Sequence, residues 1–170
     1  PYILYVGSVE PRKNLLRLLD AYREALQWST RWRLVIVGAR NYWKSSPVAE
    51  KVAQLGLQGQ VKFTGYIPDD DLPALYNGAD LFCFPSLYEG FGLPVVEAMA
   101  RGVPTVASAT SAVSEVAGGA AIAVNPRSVR EIAHAIESIL ADVGLADRLA
   151  ARGRAQADRF SWDETARLTL

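Results

Sequence analysis

Two stretches of this chain gather residues able to do chemistry on a phosphorylated ligand. The first is Gly7-Ser8-Val9-Glu10-Pro11-Arg12-Lys13-Asn14, which sets two adjacent cations just ahead of an amphipathic run. Free backbone N–H groups and the dipole at a helix N-terminus favour an anion, and Arg12 and Lys13 add full positive charges. That suits a phosphate or diphosphate; the competing reading is a pair of solvated loop charges. The stretch is neither a G-x-x-x-x-G-K-S/T loop nor a G-x-G-x-x-G fingerprint.

The second stretch runs Pro85-Ser86-Leu87-Tyr88-Glu89-Gly90-Phe91-Gly92-Leu93-Pro94-Val95-Val96-Glu97. Gly90 and Gly92 let backbone approach a ligand closely, and Pro94 suits the first turn of a helix. The N–H groups near Phe91, Gly92 and Leu93 are then expected to face a crevice. Glu89 lies in the loop and Glu97 about one turn inside the helix. Ionised carboxylates only accept hydrogen bonds, so each can take two hydroxyls. A loop carboxylate, an anion-binding helix end and a second carboxylate could read a sugar, a phosphate and a diol in a row. Taken singly, Glu89 could instead cap the helix and Glu97 could be an exposed helix charge.

These loops need a frame that brings them together. Short apolar runs at Tyr2–Val6, Leu34–Val37, Val61–Thr64, Leu81–Phe84, Thr105–Ala107 and Ala121–Val124 read as strands covered on both faces. Helical patterns lie between them. Residues 14–28 carry Leu15, Leu18, Leu19, Tyr22 and Leu26 at helical spacing, with Asn14 as N-cap. Asp69, Asp70 and Asp71 precede Leu72, Leu75 and Tyr76. Further helices follow Pro94, start near Ser111 and end at Gly118-Gly119, cover 127–141, and run from about Leu145 to Asp158. This alternation predicts an α/β fold: a doubly wound, Rossmann-like, parallel six-stranded sheet in the order 3-2-1-4-5-6, with helices on both faces. Strands 1 and 4 are then neighbours, and ligands bind at their carboxyl ends, where the two loops sit.

Composition narrows the class. The 170 residues hold 18 Lys+Arg against 18 Asp+Glu, one Cys and one His, and half are hydrophobic. Zero net charge argues against a nucleic-acid partner or a polybasic membrane module. No apolar run approaches the ~20 residues of a membrane span. One Cys cannot form an internal disulfide, which favours a reducing compartment. The expectation is a soluble cytoplasmic domain. Because the chain enters a strand at Tyr2 without leader, cap or Met, it also reads as a piece of something longer.

The stretch from Glu89 to Glu97 is an E-x7-E motif, and it resembles that of retaining glycosyltransferases with the two-domain GT-B fold, closest to the large group 1 family (family 4). The likeness extends through Tyr5-Val6-Gly7 to Lys13-Asn14, Leu34–Gly38, Phe63 to Ile67, Ala79 to Ser86, Glu89–Gly102 and Phe160-Ser161-Trp162. The resemblance implies that residues 1–170 form the C-terminal, nucleotide-sugar-binding domain, with an N-terminal acceptor domain absent. It implies that Lys13 and Arg12 hold the donor diphosphate and stabilise it as it leaves, next to Gly7 and Ser8. Many family members have Arg soon after the first glycine; here Ser8 follows Gly7, so the diphosphate role rests on Arg12 and Lys13. Glu97 would bind the ribose hydroxyls and Glu89 the donor sugar. The N–H groups around Gly90, Phe91, Gly92 and Leu93 would bind sugar and distal phosphate, and backbone near Tyr66 and Ile67 would meet the base. The segment from Ala107 to Glu115 also resembles the family, and no donor contact is assigned to it.

By the same resemblance the transfer retains anomeric configuration and needs no metal or other cofactor. A hexose, mannose first, passes from a nucleotide sugar to an acceptor glycan or lipid-linked glycan, in glycan or polysaccharide synthesis. GDP-mannose is the first donor expected and a UDP-sugar the next, since Gly7–Leu19 and Asn41–Ser46 look most like mannosyltransferases. The full-length protein could lie peripherally at the inner membrane face, and the isolated piece is expected to turn over little. The competing readings are a GT-B-fold nucleotide-sugar epimerase, which lacks this E-x7-E arrangement, and a non-catalytic nucleotide-binding module. Other residues carry plainer readings. His134 reads as a surface residue and Cys83 as a core hydrophobe. The triple Asp at 69–71 reads as helix capping before a cation site. Tyr42-Trp43 would either stack on a sugar or partner, or face the missing half.

Overall fold

The computed structural model describes residues 1–38 and 46–169, so Tyr42-Trp43 and most of Asn41–Ser46 lie outside the described residues. Six strands form one parallel sheet: β1 (Tyr2–Val6), β2 (Arg33–Val37), β3 (Val61–Gly65), β4 (Leu81–Phe84), β5 (Thr105–Ser108) and β6 (Ile122–Val124). Their order is β3-β2-β1-β4-β5-β6, as the strand–helix alternation predicts. Every pairing is parallel. β4 is buried at all four positions, consistent with its unbroken apolar run.

The helices are α1 (Leu15–Ala25), α2 (Pro47–Gln54), α3 (Leu72–Asn77), α4 (Leu93–Ala100), α5 (Ser111–Ala117), α6 (Val129–Ala141), α7 (Val143–Ala157) and α8 (Trp162–Thr169). α1 packs against α2 and α6, and α4 against α5 and α7, so helices cover both faces. The apolar stripes explain this. Leu15, Leu18, Leu19 and Tyr22 of α1, and Ile132, Ile136 and Ile139 of α6, are all buried. Cys83 is fully buried in the sheet, and burial pushes its thiol pKa well above the ordinary value, so it is a core residue. His134 lies exposed on α6.

Three sequence expectations need correction. Neither α2 nor α8 is among the expected helices; each is about two turns long, and α2 buries just Val48 and Val52, too short a stripe to register as periodic. The acids at 69–71 do not cap α3. Asp71 already has helical backbone angles (φ −93°, ψ −23°), so its side chain makes no capping bond, and all three acids are exposed ahead of the helix.

Asn14 stands at the N-cap position of α1, yet its side chain makes no capping bond either. Its backbone is left-handed (φ 63°), which a short polar residue tolerates. The side-chain amide donates instead to the Pro85 carbonyl at 2.8 Å and the Pro126 carbonyl at 2.6 Å. One buried residue thus ties the loop after β1 to those after β4 and β6. Asn14→Ala strands two buried carbonyls and strains φ, with an expected cost of about 2–3 kcal/mol in urea unfolding. Asn14→Gly, which relieves φ but not the lost bonds, is expected to cost less. A variant within about 0.5 kcal/mol of wild type would show that the tie contributes little.

Candidate functional site

The parallel sheet ends on a common edge where β1 and β4 are neighbours, and the two candidate loops meet there. Backbone bonds first bring the strand ends into line: the Gly7 N–H donates to the Val37 carbonyl at 3.0 Å and the Gly38 N–H to the Gly65 carbonyl at 2.9 Å. A side chain at Gly38 (φ 94°) would place Cβ 2.9 Å from the Gly7 carbonyl oxygen, so the approach requires glycine. Pro11–Lys13 then form a short 3₁₀ turn, which directs Arg12 and Lys13 across the crevice. From the other side, the Leu87 N–H donates to the Arg12 carbonyl at 2.7 Å and locks the loops together.

Glu89 is the centre of this arrangement. It is 7% exposed, and each of its carboxylate oxygens holds a cation. Lys13 Nζ donates to Oε1 at 2.6 Å and Arg12 Nη1 to Oε2 at 2.9 Å. Lys13 is itself 8% exposed and lies 5.2 Å from the centre of the Phe84 ring. Lys13 is therefore no solvated loop charge, and Glu89 is no helix cap. Arg12 is more open; its Nε also donates to Glu10 Oε2 at 2.8 Å, and the Ser8 hydroxyl donates to Glu10 Oε1 at 2.6 Å. That hydroxyl first, and Arg12 second, hold the exposed Glu10 carboxyl below its usual range. Beneath them, burial first and Glu89 second raise the pKa of the Tyr5 phenol, whose hydroxyl donates to the Ser8 carbonyl at 3.3 Å.

The second half of the site is the start of α4. Gly92 occupies the N-cap position with φ 106°, and a Cβ there would sit 3.2 Å from the Val113 side chain. The N–H groups of Gly90, Phe91, Gly92 and Leu93 donate no hydrogen bond among the described residues. Those of Gly92 and Leu93 are the orphan donors expected at a helix start, and those of Gly90 and Phe91 lie in the loop just ahead of it. Phe91 is partly exposed and meets Phe160 edge-on at 5.7 Å, and Leu93 is about half exposed. Glu97 is exposed on α4, but it is not simply a solvated charge. Tyr76 of α3 donates its hydroxyl to Glu97 Oε2 at 2.8 Å. Tyr66 and Ile67 follow β3 on the same end of the sheet, Tyr66 exposed and Ile67 half-buried.

Four residues that sequence reasoning did not place at the site belong to it: Glu10, Tyr5, Tyr76 and Ser111. Ser111 lies in the Ala107–Glu115 segment, to which no donor contact is assigned, and it reaches the site through Glu89: its hydroxyl accepts the Glu89 N–H at 3.3 Å. Its φ is 61°, one of two positive values among described non-glycine residues, the other being Asn14. Nothing local in the sequence marks it. Among the described residues no group of three His, Cys, Asp or Glu side chains is placed to hold a metal ion.

Residues 1–156 match the family described as glycosyl transferases group 1, and the chain belongs to that family. It is 42% identical to the O-antigen chain mannosyltransferase B of Escherichia coli, over 99% of this chain and 44% of that protein. It thus spans under half the length of this curated relative. Among solved structures it resembles the sucrose-phosphate synthase of Thermosynechococcus elongatus (TM-score 0.86, 31% identity, 99% of this chain and 43% of that one). It also resembles the Anabaena protein HepE in complex with UDP and glucose (TM-score 0.84, 26% identity, 93% of this chain and 43% of that one).

Removing one partner of a buried ion pair leaves the other charged and unsolvated. Glu89→Ala is therefore expected to cost about 3 kcal/mol in urea unfolding. The double variant Lys13→Met/Glu89→Leu should recover most of that loss, since it buries no charge at these two positions. Strictly additive losses would mean that the two side chains are not coupled.

Proposed function

We propose that this chain is the nucleotide-sugar-binding domain of a retaining hexosyltransferase that acts in glycan synthesis. The observation that carries this reading is the buried Glu89 carboxylate, bonded to Lys13 and Arg12 beside the open N–H groups at the start of α4. Cations and free N–H groups at one helix end suit a diphosphate. A carboxylate next to them suits sugar hydroxyls, and Glu97 suits the ribose diol. Support for mannose comes from the mannosyltransferase relatives, and support for a nucleoside diphosphate from the HepE complex. GDP-mannose is the donor we favour, a UDP-sugar the next, with an acceptor glycan or lipid-linked glycan.

In this reading the two cations and the two carboxylates, Glu10 and Glu89, balance one another before the donor arrives. The diphosphate then draws Lys13 and Arg12 towards itself, and the Glu89 oxygens become free to accept hydroxyls of the sugar. As the bond between the anomeric carbon and the diphosphate oxygen breaks, its electron pair goes to that departing oxygen, and the acceptor hydroxyl oxygen bonds to the anomeric carbon from the same face, its proton passing to the departing diphosphate. Lys13, Arg12 and the N–H groups near Gly92 stabilise that charge without a metal. Removing one such preorganised donor costs roughly 3–4 kcal/mol of transition-state stabilisation in comparable sites. The acceptor side belongs to a second domain, and the isolated chain is expected to bind donor while transferring little.

Calorimetric titration with nucleosides, nucleoside diphosphates and nucleotide sugars tests this proposal. A nucleoside diphosphate should bind and raise the melting midpoint, since a ligand of the folded state must stabilise it. Lys13→Met should weaken that binding by about tenfold or more, while leaving any affinity for the bare nucleoside unchanged. No response to any nucleoside diphosphate at millimolar concentration would contradict the proposal.

A further inference from the structure

Tyr76 is the fifth residue of α3 and Glu97 the fifth of α4, two helices that no sequence motif joins. The Tyr76 ring is 1% exposed and packs 5.6 Å from the ring of Phe82 in β4, so its position is set by the core. Its hydroxyl nevertheless reaches an exposed acid and donates to Glu97 Oε2 at 2.8 Å. Burial first and Glu97 second raise the phenol pKa, which keeps it a protonated donor over the working pH range. Glu97 Oε1 accepts no hydrogen bond among the described residues. A lone surface Glu samples several rotamers. One held by a buried phenol is confined to the orientation the phenol selects, and its unpaired oxygen is confined with it.

We infer that Tyr76 is a positioning residue: it fixes the Glu97 carboxylate so that the free oxygen receives the ribose hydroxyls of the donor. The inference rests on the proposed role of Glu97. Tyr76 does not itself touch the ligand. It lowers the ordering cost that Glu97 would otherwise meet on binding, and it acts only on ligands that carry the hydroxyls. A hydroxyl on a buried ring suits this task, because the ring supplies rigidity and the oxygen needs a partner in any case.

The test uses whichever of GDP or UDP the wild-type chain binds more tightly, together with its 2′,3′-dideoxy counterpart. Both are titrated into wild type, Tyr76→Phe, Glu97→Ala and the double variant. Tyr76→Phe keeps the buried ring and loses one oxygen, and a thermal melt checks that the fold is intact. The expected result is a loss on the order of fivefold for the ribonucleotide, none for the dideoxy ligand, and none when Glu97 is already Ala. An equal loss for both ligands, or unchanged affinity for the ribonucleotide, would overturn the inference while leaving the role of Glu97 intact. Equal binding of both ligands by wild type, or binding of neither, would overturn the inference together with the reading of Glu97 on which it rests.

Discussion

A carboxylate withdrawn from water and held between two cations is the constraint around which the crevice is built. Taking Glu89 and Lys13 out of solvent costs several kcal/mol per ion, and close pairing offsets that only when the geometry is good. The geometry here is good because the fold makes it so. β1 and β4 are neighbours at the point where the sheet reverses its winding, so their loops emerge side by side. The Leu87–Arg12 backbone bond and the Asn14 amide then hold those loops in register. An apolar pair in place of Lys13 and Glu89 would forgo little stability, because the attraction between buried charges does little more than offset their desolvation. That an ionic one is present points to a requirement other than stability.

The other unusual features of the chain gather around this trio. Asn14 and Ser111 adopt left-handed backbone at the starts of α1 and α5, and Gly92 does so at the start of α4. All three lie on the edge of the sheet where Glu89 is fixed. Ser111 is the costliest of the three, with neither the tolerance of glycine nor that of asparagine for positive φ. It gains the Glu89 N–H in exchange. Strain, buried charge and unpaired N–H groups thus occur together at one end of a sheet whose remaining core is ordinary.

Much of this was legible in the residues. Apolar runs of strand length, separated by amphipathic stretches, led to the strand order, and the strand order led to the two loops. Arg12, Lys13 and Glu89 were candidates by chemistry alone, and the fold brings them within bonding distance. What escaped was the direction of side chains over long sequence separations. Asn14 looked like a cap because its type and place suit one, but its partners are 71 and 112 residues away. Tyr76 looked like one more apolar helix position, because a buried ring and a hydroxyl that reaches a neighbouring helix look alike in one dimension. The acids at 69–71 suited capping by composition, and a helical φ/ψ at Asp71 defeated that reading. α2 was too short to show a period.

The most direct test of the account is a crystal structure of this chain with a bound nucleoside diphosphate. The account predicts phosphate oxygens within hydrogen-bonding distance of Lys13 Nζ and of the N–H groups at Gly92 and Leu93, with the ribose hydroxyls on Glu97. A nucleotide seated elsewhere, with Lys13 and Arg12 still paired to Glu89 as they are now, would contradict it.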